Sequence, residues 1–597
     1  MDGAAGRGHL GDWLARFQRA LAAPDAADWR GLFTDDGAWR DLLAFTWTIV
    51  TLEGAEAVAQ MTRRQAAAIG AQAFSLDQEM QGADDGWFDF ETATARCRGY
   101  VRLDSGRCAM LLTAMLELKG FEEPAGPRRI DGLEHRAMKG RRTWLEERQA
   151  QERSLGHDQQ PYCLIVGGGQ GGLALAARLK RLGVATLIVD KFERPGDAWR
   201  SRYKSLYLHD PIWLDHFPYL PFPDHWPLYT SKDKMGDWLE IYAKAMELDV
   251  WGSTVCQSAR FDEAADEWVV TVERAGETLT LRPRQLVLAT GLSGGKHVPE
   301  ILGAASFKGE QHHSSEHGGG DSLAGKRCVV IGSNNSAHDV CVDAWENDAA
   351  SVTMIQRSPT IVVRASTMAR LSADIPYAHP EIPTVTADLM AATLTYRQRT
   401  AMEIAGTAHI RAIDSEFYDR LAASGFQLSH GEDESGFFMA YYRRAAGYYI
   451  DVGGSELIVR GDIAMRGGGI AAIEPDGVRM ADGGFIAADV IVYATGYRPM
   501  SEWTGELISP QVETAVGPCW GLGSGAAGDP GPWEGELRNM WKPTRQRGLW
   551  FQGGNLAQSR FHSLHLALQI KARMEGLPTP VFQPSHEAAR TPEPASA

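Results

Sequence analysis

Apolar and polar residues alternate with different periods along the chain, and these periods predict its first elements. The segment DWLARFQRALAA (12–23) has helical apolar spacing, whereas ATARCRGYVRL (93–103) and GRCAMLLTAMLELKGFEE (106–123) place apolar residues mostly at every second position. Helices followed by half-buried strands indicate a small α+β unit with a curved antiparallel sheet. We therefore predict a separate domain over residues 1–145.

Two polar segments predict the ends of the folded regions. Residues 146–160, EERQAQERSLGHDQQ, are charged and predict a linker. Residues 578–597 are rich in proline and poor in apolar residues, so they predict a disordered tail.

A strand, a glycine-rich loop, a helix and a second strand follow one another in PYCLIVGGGQGGLALAARLKRLGVATLIVDKFE (161–193). In such a unit Gly167 makes the tight turn, Gly169 lets the backbone approach a pyrophosphate, and Gly172 lets the helix pack on the strand. The helix N-terminus attracts the phosphates, and Asp190 at the end of the second strand can accept hydrogen bonds from a ribose. The segment predicts a dinucleotide-binding unit.

The same order of elements recurs in KRCVVIGSNNSAHDVCVDAWENDAASVTMIQRSPT (326–360). Its loop begins at Gly332 and has Asn334 where the first loop has its second glycine; we expect asparagine to be tolerated because it reaches left-handed backbone conformations. No acid ends the second strand. Arg357 stands there instead, and an arginine at this place can bind a ribose 2′-phosphate, which favours NADPH. A degenerate unit that binds nothing is the alternative.

Two apolar runs with the same ending indicate how the units connect. LVLATG (286–291) and VIVYATGY (490–497) both end in Ala-Thr-Gly. We interpret them as the two points where the chain leaves the first unit and returns to it, so that the second unit is inserted in the first. The predicted boundaries are 161–297 and 490–577 for the first unit, and 298–489 for the second, with a helical insertion at about 365–447.

Composition limits the possible functions. The 597 residues carry a net charge of −16, which argues against nucleic acid or an anionic membrane as partner. No apolar run reaches the length of a membrane span, and the first residues lack a signal-peptide pattern. The seven cysteines are scattered without a C-x-x-C motif, as in reduced cytosolic proteins, so we expect a cytoplasmic protein.

The segment FKGEQHHSSEH (307–317) raises the question of a metal site, because histidines and carboxylates are common ligands of Zn²⁺ and Fe²⁺. Phe307, Gly309 and His313, however, match the motif F-x-G-x-x-x-H-x-x-x-(Y/F) that lies between the two nucleotide loops of flavin-containing monooxygenases. His317 replaces the aromatic residue of the motif. The match assigns His313 to a domain-linking motif, and we expect no metal.

On these motifs, residues 160–577 resemble the flavin-containing monooxygenases, within the class B flavoprotein monooxygenases. His209 in LYLHDP (206–211) is similar to plant YUCCA enzymes and to bacterial type II members, which also carry an N-terminal extension. The first domain resembles the cone-shaped nuclear-transport-factor-2-like domains. The resemblance implies an α/β fold of two Rossmann-type domains, the second inserted in the first, preceded by a small α+β cone-shaped domain.

The resemblance also implies an activity: FAD- and NADPH-dependent insertion of one oxygen atom of O₂ into a small organic substrate through a C4a-(hydro)peroxyflavin. Baeyer–Villiger oxidation of ketones, sulfur or nitrogen oxidation, and the use of NADH are left open, and a homodimer is expected. His209 is the expected catalytic residue, with a structural histidine as the alternative. The expected cofactor-binding residues are Gly167, Gly169, Gln170, Gly172, Asp190, Trp199, Arg200, Val255, Ala289, Thr290, Gly291, Asn555, Gln558, Gly332, Ser333, Asn334, Asn335, Ser336, Arg357, Ser358, Thr495 and Gly496.

Other functions remain open at this point. An NADPH-dependent flavoprotein reductase or oxidase, or a non-catalytic flavin-dependent sensor, would share both loops. A disulfide reductase would need a closely spaced cysteine pair beside the flavin, and the sequence has no C-x-x-C or C-x₄-C motif. The aromatic segment FFMAYYRRAAGYYI (437–450) can line a substrate tunnel or belong to the core. The segment 548–576 predicts a Gly-rich turn and a helix whose start, near Asn555 and Gln558, can point at the flavin; a plain packing helix is the alternative.

Overall fold

The computed structural model describes residues 3–132, 134–373 and 375–583. Within these ranges, none of the helices combines the length and the apolar character that a membrane crossing requires.

The N-terminal part is a six-stranded sheet with helices on one face. Its helices are α1 (Gly3–Ala22), α2 (Trp29–Leu32) and α3 (Ala55–Ile69), and its strands are β1 (Phe33–Leu42), β2 (Ile49–Glu53), β3 (Gln72–Gln81), β4 (Asp85–Glu91), β5 (Ala95–Asp104) and β6 (Arg107–Leu118). The strand order is β2-β1-β6-β5-β4-β3. We expected an antiparallel sheet, but β1 and β6 run parallel. The crossover through α3 separates the β1–β2 hairpin from the β3–β6 meander, so that the meander returns beside β1 in the same direction.

The helix-covered face of this sheet is filled by aromatic side chains. The largest of them, all less than 2% exposed, are Trp13, Trp39, Phe17, Phe33, Phe45, Phe88 and Phe90. The interior is therefore a packed core. The resemblance to nuclear-transport-factor-2-like domains stays a prediction.

The opposite face of the sheet packs against the rest of the chain. Leu42 and Leu112 share one buried cluster with Leu389, Tyr396 and Leu537. This face is thus covered within one chain and is not free to pair with a second copy. The expected homodimer stays a prediction.

The predicted linker is largely helical. Helix α4 (Trp144–Ser154) begins at a capping box between Thr143 and Glu146. Arg148 anchors it to Asp249, with 2.6 Å between Nη1 and Oδ1. A helix is compatible with this polar composition, because it is exposed along most of its length and needs no apolar stripe.

The first Rossmann unit starts after this helix. It contains β7 (Cys163–Val166), α5 (Gln170–Arg181), β8 (Thr186–Val189), α6 (Asp197–Arg200), α7 (Lys232–Ala245), β9 (Val250–Trp251), β10 (Thr254–Asp262), β11 (Glu267–Arg274), β12 (Glu277–Leu281) and β13 (Gln285–Leu288). Strands β10, β11 and β12 form a separate antiparallel sheet at its side.

The second Rossmann unit follows. Its strands are β14 (Glu310–His313), β15 (Arg327–Ile331), β16 (Ser351–Gln356), β17 (Thr360–Arg364), β18 (Leu428–Ser429), β19 (Tyr448–Asp451), β20 (Ile463–Gly467), β21 (Ile470–Glu474), β22 (Gly477–Met480), β23 (Phe485–Ala487) and β24 (Val490–Tyr493). Its helices are α8 (Asn335–Glu346), α9 (Ala365–Leu371), α10 (Thr384–Ala392), α11 (Tyr396–Ile413), α12 (Ser415–Ala423), α13 (Gly436–Arg444) and α14 (Gly454–Arg460).

The chain then returns to the first unit through α15 (Glu502–Leu507), α16 (Pro510–Val516), β25 (Leu549–Phe551) and α17 (Leu556–Met574). The two main sheets have the orders β25-β13-β7-β8-β9 and β14-β24-β15-β16-β20 and are parallel throughout. Because β25 closes the first sheet after the second is complete, the second Rossmann-type unit is inserted in the first. The predicted α/β fold class is confirmed.

Two predicted boundaries need correction. Residues 490–493 were assigned to the first unit, but they form β24 between β14 and β15 of the second sheet; the chain returns only after this strand. The predicted disordered tail also starts too early. Phe582 is buried and donates its backbone N–H to the carbonyl of Thr46, and Gln65 donates to the carbonyl of Pro580. The remainder of that prediction, 584–597, lies outside the described residues.

Candidate dinucleotide sites and the residues between them

The first glycine-rich loop leaves open space at one position. A Cβ atom on Gly167 (φ +113°) would lie 2.4 Å from the Ala289 carbonyl oxygen, and one on Gly172 would lie 2.0 Å from the Gly167 carbonyl oxygen. The protein itself therefore requires these two glycines. A Cβ atom on Gly169 would meet no protein atom within 4 Å. The space beside Gly169 is therefore open, as the close approach of a pyrophosphate would require.

Two helix N-termini meet at this loop. Helix α5 starts after Gly169 without a side-chain cap, so its first N–H groups are available to an anion. A Cβ atom on Gly171 would lie 3.4 Å from Gln552 Cγ and 3.5 Å from Gly553 Cα, which places the turn before α17 against the start of α5. The predicted turn and helix are thus present, and they start beside the loop.

Asn555 and Gln558 cap helix α17. The Gln558 N–H donates to Asn555 Oδ1 over 2.9 Å, and the Asn555 N–H reaches Gln558 Oε1 over 3.3 Å. The Tyr441 hydroxyl donates to the same Oε1 over 2.5 Å and accepts from the Asn555 N–H over 3.0 Å. Trp520 in turn donates from Nε1 to the Tyr441 carbonyl. The aromatic residues around Tyr441 stand out in the sequence, but no local pattern links Tyr441 to the start of α17.

Asp190 closes the loop from the adjacent strand. Its carboxylate accepts from the N–H of Gly168 over 2.5 Å and from the N–H of Phe192 over 2.8 Å. Burial raises the pKa of the Asp190 carboxyl, and these two hydrogen bonds oppose the rise. The Thr254 N–H donates to the Asp190 carbonyl, so Val255, which is half exposed, lies at the same edge. The predicted contact of Asp190 with a ribose stays a prediction.

Three other predicted residues of the first site, Gln170, Trp199 and Arg200, have their side chains bound to other groups of the protein. Trp199 donates from Nε1 to Gln170 Oε1 over 3.3 Å, which joins both to the loop. The Arg200 guanidinium is held by three carboxylates, those of Asp197, Asp237 and Glu240, at 2.8–3.0 Å. It is therefore committed within the protein, and its predicted contact with a cofactor stays a prediction.

The second Ala-Thr-Gly segment meets residues 296–297, which follow the first, where the chain crosses between the units. Ala289 contacts the first loop, and the buried hydroxyl of Thr290 has no hydrogen-bond partner among the described residues. The His297 N–H donates to the Gly496 carbonyl, and the Thr495 hydroxyl donates to the His297 carbonyl. Gly291 adopts a positive φ of +80° at the first crossing.

His313 fastens this crossing through both of its ring nitrogens. The Ser315 N–H donates to His313 Nδ1 over 3.1 Å, so Nε2 carries the proton and donates to the Gly496 carbonyl over 3.0 Å. His317 instead pairs with Asp343 over 2.9 Å, and His312 only stacks on the His317 ring. Among the described residues, no group of three or more His, Cys, Asp or Glu is arranged to hold a metal ion.

The second loop has the same turn but a different second position. A Cβ atom on Gly332 (φ +131°) would lie 2.3 Å from the Ala494 carbonyl oxygen, as Gly167 relates to Ala289. Asn334 has φ −96° and ψ −170°, close to the values of Gly169 (−79° and −171°). The expectation that asparagine is tolerated for its left-handed conformation is therefore wrong. The position is extended and accepts any residue, but the Cβ of Asn334 occupies space that Gly169 leaves open.

Several side chains of the second loop are already committed. Ser333 Oγ lies 2.7 Å from Thr360 Oγ1, and Asn335 Oδ1 accepts from the Ile450 N–H over 2.9 Å. Ser336 lies partly exposed in the first turn of α8. The committed side chains help to fix the loop, which leaves its backbone N–H groups as the donors that face outward.

Arg357 is the free cation at this site. Gln356 is fully buried and exchanges hydrogen bonds with the backbone of Gln427 at 2.9 and 2.7 Å. Arg357 and Ser358 are exposed, and in the part of the chain that the structure describes Arg357 makes no hydrogen bond or ion pair. The guanidinium is thus available to an anionic ligand.

His209 lies between the two units. It is half-buried and has no hydrogen-bond partner among the described residues, and its segment is fixed by the Leu208 N–H, which donates to the Thr230 carbonyl. The His209 imidazole lowers the pKa of Asp339 on α8, against the burial that raises it. The segment of His209 is joined to α8 of the second unit, because the Tyr203 hydroxyl donates to the Asp339 carboxylate. A cavity of about 660 Å³ beside α9, α12 and α14 contains none of the predicted site residues.

The chain is similar to several known proteins. Residues 164–430 match the family model described as pyridine nucleotide-disulphide oxidoreductase. The chain is similar to two probable indole-3-pyruvate monooxygenases of Arabidopsis thaliana. YUCCA9 is 36% identical over 203 residues, which are 34% of this chain and 48% of that protein. YUCCA7 is 29% identical over 342 residues, 56% of this chain and 74% of that protein.

The chain spans about half the length of the first of the curated relatives that it matches. Among solved structures, it is similar to cyclohexanone monooxygenase bound to ε-caprolactone, with 19% identity and a TM-score of 0.50 over 70% of this chain and 88% of that one. At this identity the likeness concerns the fold. The name of the family model mentions a disulphide, but all seven cysteines are free and the described residues contain no disulfide bond.

Proposed function

We propose that this protein is an FAD- and NADPH-dependent monooxygenase that transfers one oxygen atom of O₂ to a small organic substrate. One observation carries the proposal: two dinucleotide loops lie in interlocked units, and the segment that carries His209 is hydrogen-bonded to the second nucleotide helix through Tyr203 and Asp339. The names of the similar proteins support the same class of reaction.

The first loop fits FAD. The open space at Gly169 would accept the pyrophosphate, the uncapped start of α5 would bind its charge, and Asp190 would receive the ribose hydroxyls. The start of α17, held by Tyr441 and Gln558, would place a positive helix end beside the ring system. When bound, FAD supplies hydride acceptance from NADPH and the activation of O₂.

The second loop fits NADPH. The turn at Gly332 and the backbone of Asn334–Ser336 would bind the pyrophosphate. The exposed, unpaired Arg357 would bind the 2′-phosphate, and a charge-assisted contact of this kind contributes about 1.5–3 kcal/mol. NADH lacks that phosphate, so we propose that it serves less well.

His209 is proposed to act on the substrate. Oxygen transfer to a ketone places negative charge on the carbonyl oxygen, and a preorganised donor in a site without water lowers such a barrier by about 2.7–4 kcal/mol. An imidazole without an internal partner is available for this task. We therefore propose Baeyer–Villiger oxidation of ketones, with sulfur or nitrogen oxidation as the related possibility.

The test is NADPH consumption by the FAD-loaded protein, measured with ketones, sulfides and amines together with oxygenated product and hydrogen peroxide. Product in proportion to the NADPH consumed supports the proposal. Peroxide alone with every substrate would make the protein a reductase or oxidase. NADPH binding without consumption would leave a non-catalytic sensor, and a protein that cannot be loaded with FAD would overturn the reading of the first loop.

A further inference from the structure

Of three consecutive side chains just before His209, two contact the second Rossmann unit and one contacts the segment that leads back from it. The contacts are Arg202 over the Tyr497 ring at 5.6 Å, the Tyr203 hydroxyl to Asp339 Oδ2 at 2.5 Å, and Lys204 Nζ to the Asp321 carboxylate at 3.0 Å. The segment that carries His209 is therefore fastened across the boundary between the units.

Of these three contacts, only the Tyr203–Asp339 hydrogen bond has a buried partner. Tyr203 is 2% exposed, whereas the side chains of Lys204 and Asp321 are 67% and 66% exposed. A buried hydrogen bond to a carboxylate is retained because losing it leaves an unsatisfied group, whereas an exposed ion pair contributes little. The exposed pair therefore provides a matched control in the same segment.

Asp339 lies near the N-terminus of α8. It lies five residues after Asn334, the N-cap of α8, and therefore one turn from the loop proposed to bind the second dinucleotide. The Asp339 carboxyl is also influenced by His209: burial raises its pKa, and the His209 imidazole and the Tyr203 hydrogen bond lower it. The Asp339 carboxylate thus holds Tyr203 directly, and the His209 imidazole acts electrostatically on the same group.

We propose that Asp339 is a positioning residue that, through Tyr203, holds the segment 203–209 against the second nucleotide helix and so fixes the place of His209. The role of His209 in oxygen transfer rests on the proposed function; the fastening itself does not. Loss of the Tyr203–Asp339 hydrogen bond would free the histidine while both nucleotide loops keep their own contacts.

The first test is hydrogen exchange, followed by mass spectrometry, in the FAD-loaded protein and its variants Tyr203→Phe and Asp339→Asn. Peptides covering 202–210 should exchange about ten- to a hundredfold faster in both variants, since a hydrogen bond to a charged group is lost or weakened. Peptides of the first loop, around Gly169, should not change. Lys204→Gln should leave 202–210 at the wild-type rate. If it changes 202–210 as much as Tyr203→Phe does, or if neither Tyr203→Phe nor Asp339→Asn changes it, the proposal is wrong.

The second test measures how much of the NADPH consumed becomes hydrogen peroxide. Both variants should retain FAD and melt close to wild type, but release about tenfold more peroxide per product, whereas Lys204→Gln stays coupled. The double variant should be no worse than either single one, since both break the same contact. If Tyr203→Phe does not fold, Asp339→Asn alone decides. Faster exchange together with unchanged coupling would limit the pair to a structural role. A wild type without oxygenated product would refute the proposed function but leave the exchange result interpretable.

Discussion

A buried ion pair joins the N-terminal domain to the rest of the chain, and breaking it tests how that domain is attached. Arg40 on β1 meets Glu536 through two hydrogen bonds, 2.7 Å from Nε and 3.0 Å from Nη2. Its Nη1 donates to the Ala392 carbonyl, and the Thr51 hydroxyl donates to Glu536 over 2.7 Å. Burial is the largest influence and lowers the pKa of Arg40, but the Glu536 carboxylate together with Tyr396 and Tyr442 acts the other way, so the pKa of Arg40 is raised overall.

The expected cost follows from the burial of both partners. Their side chains are 7% and 3% exposed. Arg40→Met leaves the Glu536 carboxylate buried without a counter-ion, which costs about 3–5 kcal/mol. The double variant Arg40→Met/Glu536→Leu removes both charges and should recover most of that loss, because an apolar pair of similar volume often replaces a buried ion pair without penalty.

The assay combines urea unfolding, followed by tryptophan fluorescence, with limited proteolysis of the exposed segment 125–143. Arg40→Met should shift the unfolding midpoint down and speed cleavage strongly, while the double variant returns toward wild type. Arg107→Gln is the control, because its pair with Asp35 is exposed and should contribute less than about 1 kcal/mol. If Arg40→Met behaves like this control, or if the double variant is as unstable as the single one, the reasoning is refuted.

Further expectations concern the two loops, the histidine and one acid. Gly169→Val should abolish FAD retention, measured by absorbance of the purified protein, since its side chain fills the open space. Arg357→Ala should raise the KM for NADPH about ten- to a hundredfold and the KM for NADH much less; equal losses would separate Arg357 from the 2′-phosphate. His209→Ala should retain FAD and flavin reduction by NADPH but divert oxygen to peroxide, and unchanged coupling would make it structural. Burial raises the pKa of Asp41 to about 6. The folded state therefore holds this proton to higher pH than the unfolded state, and stability should fall from pH 4 to 6 by a larger amount in wild type than in Asp41→Asn.

Sequence reasoning succeeded where the signal is local. The loops at Gly167 and Gly332 are visible because strand, turn and helix follow within a few residues, and the repeated Ala-Thr-Gly endings gave the insertion of one unit in the other. The helix of the linker was not predicted, although Thr143 and Glu146 stand at capping-box spacing, because an exposed polar helix shows no apolar period.

The contacts that organise the site could not be predicted in the same way. Tyr441 meets Gln558 across 117 positions, Tyr203 meets Asp339 across 136, and Arg40 meets Glu536 across 496. No local period specifies such pairs, and each depends on how the units pack. The boundary at 490 failed for a related reason: an apolar strand fits either parallel sheet, and only the pairing assigns it.

The packing of the first domain changes how its role should be tested. Its sheet buries Leu42 and Leu112 against Leu389 and Tyr396, beside the aromatic side chains that surround the start of α17. Removing residues 1–145 would expose this apolar surface and leave Glu536 without its counter-ion. A truncated protein would therefore lose solubility for reasons unrelated to its chemistry. Point variants at the interface keep this surface covered. They can therefore show whether the domain holds the aromatic side chains around Tyr396 and Tyr442 in place, separately from its own stability.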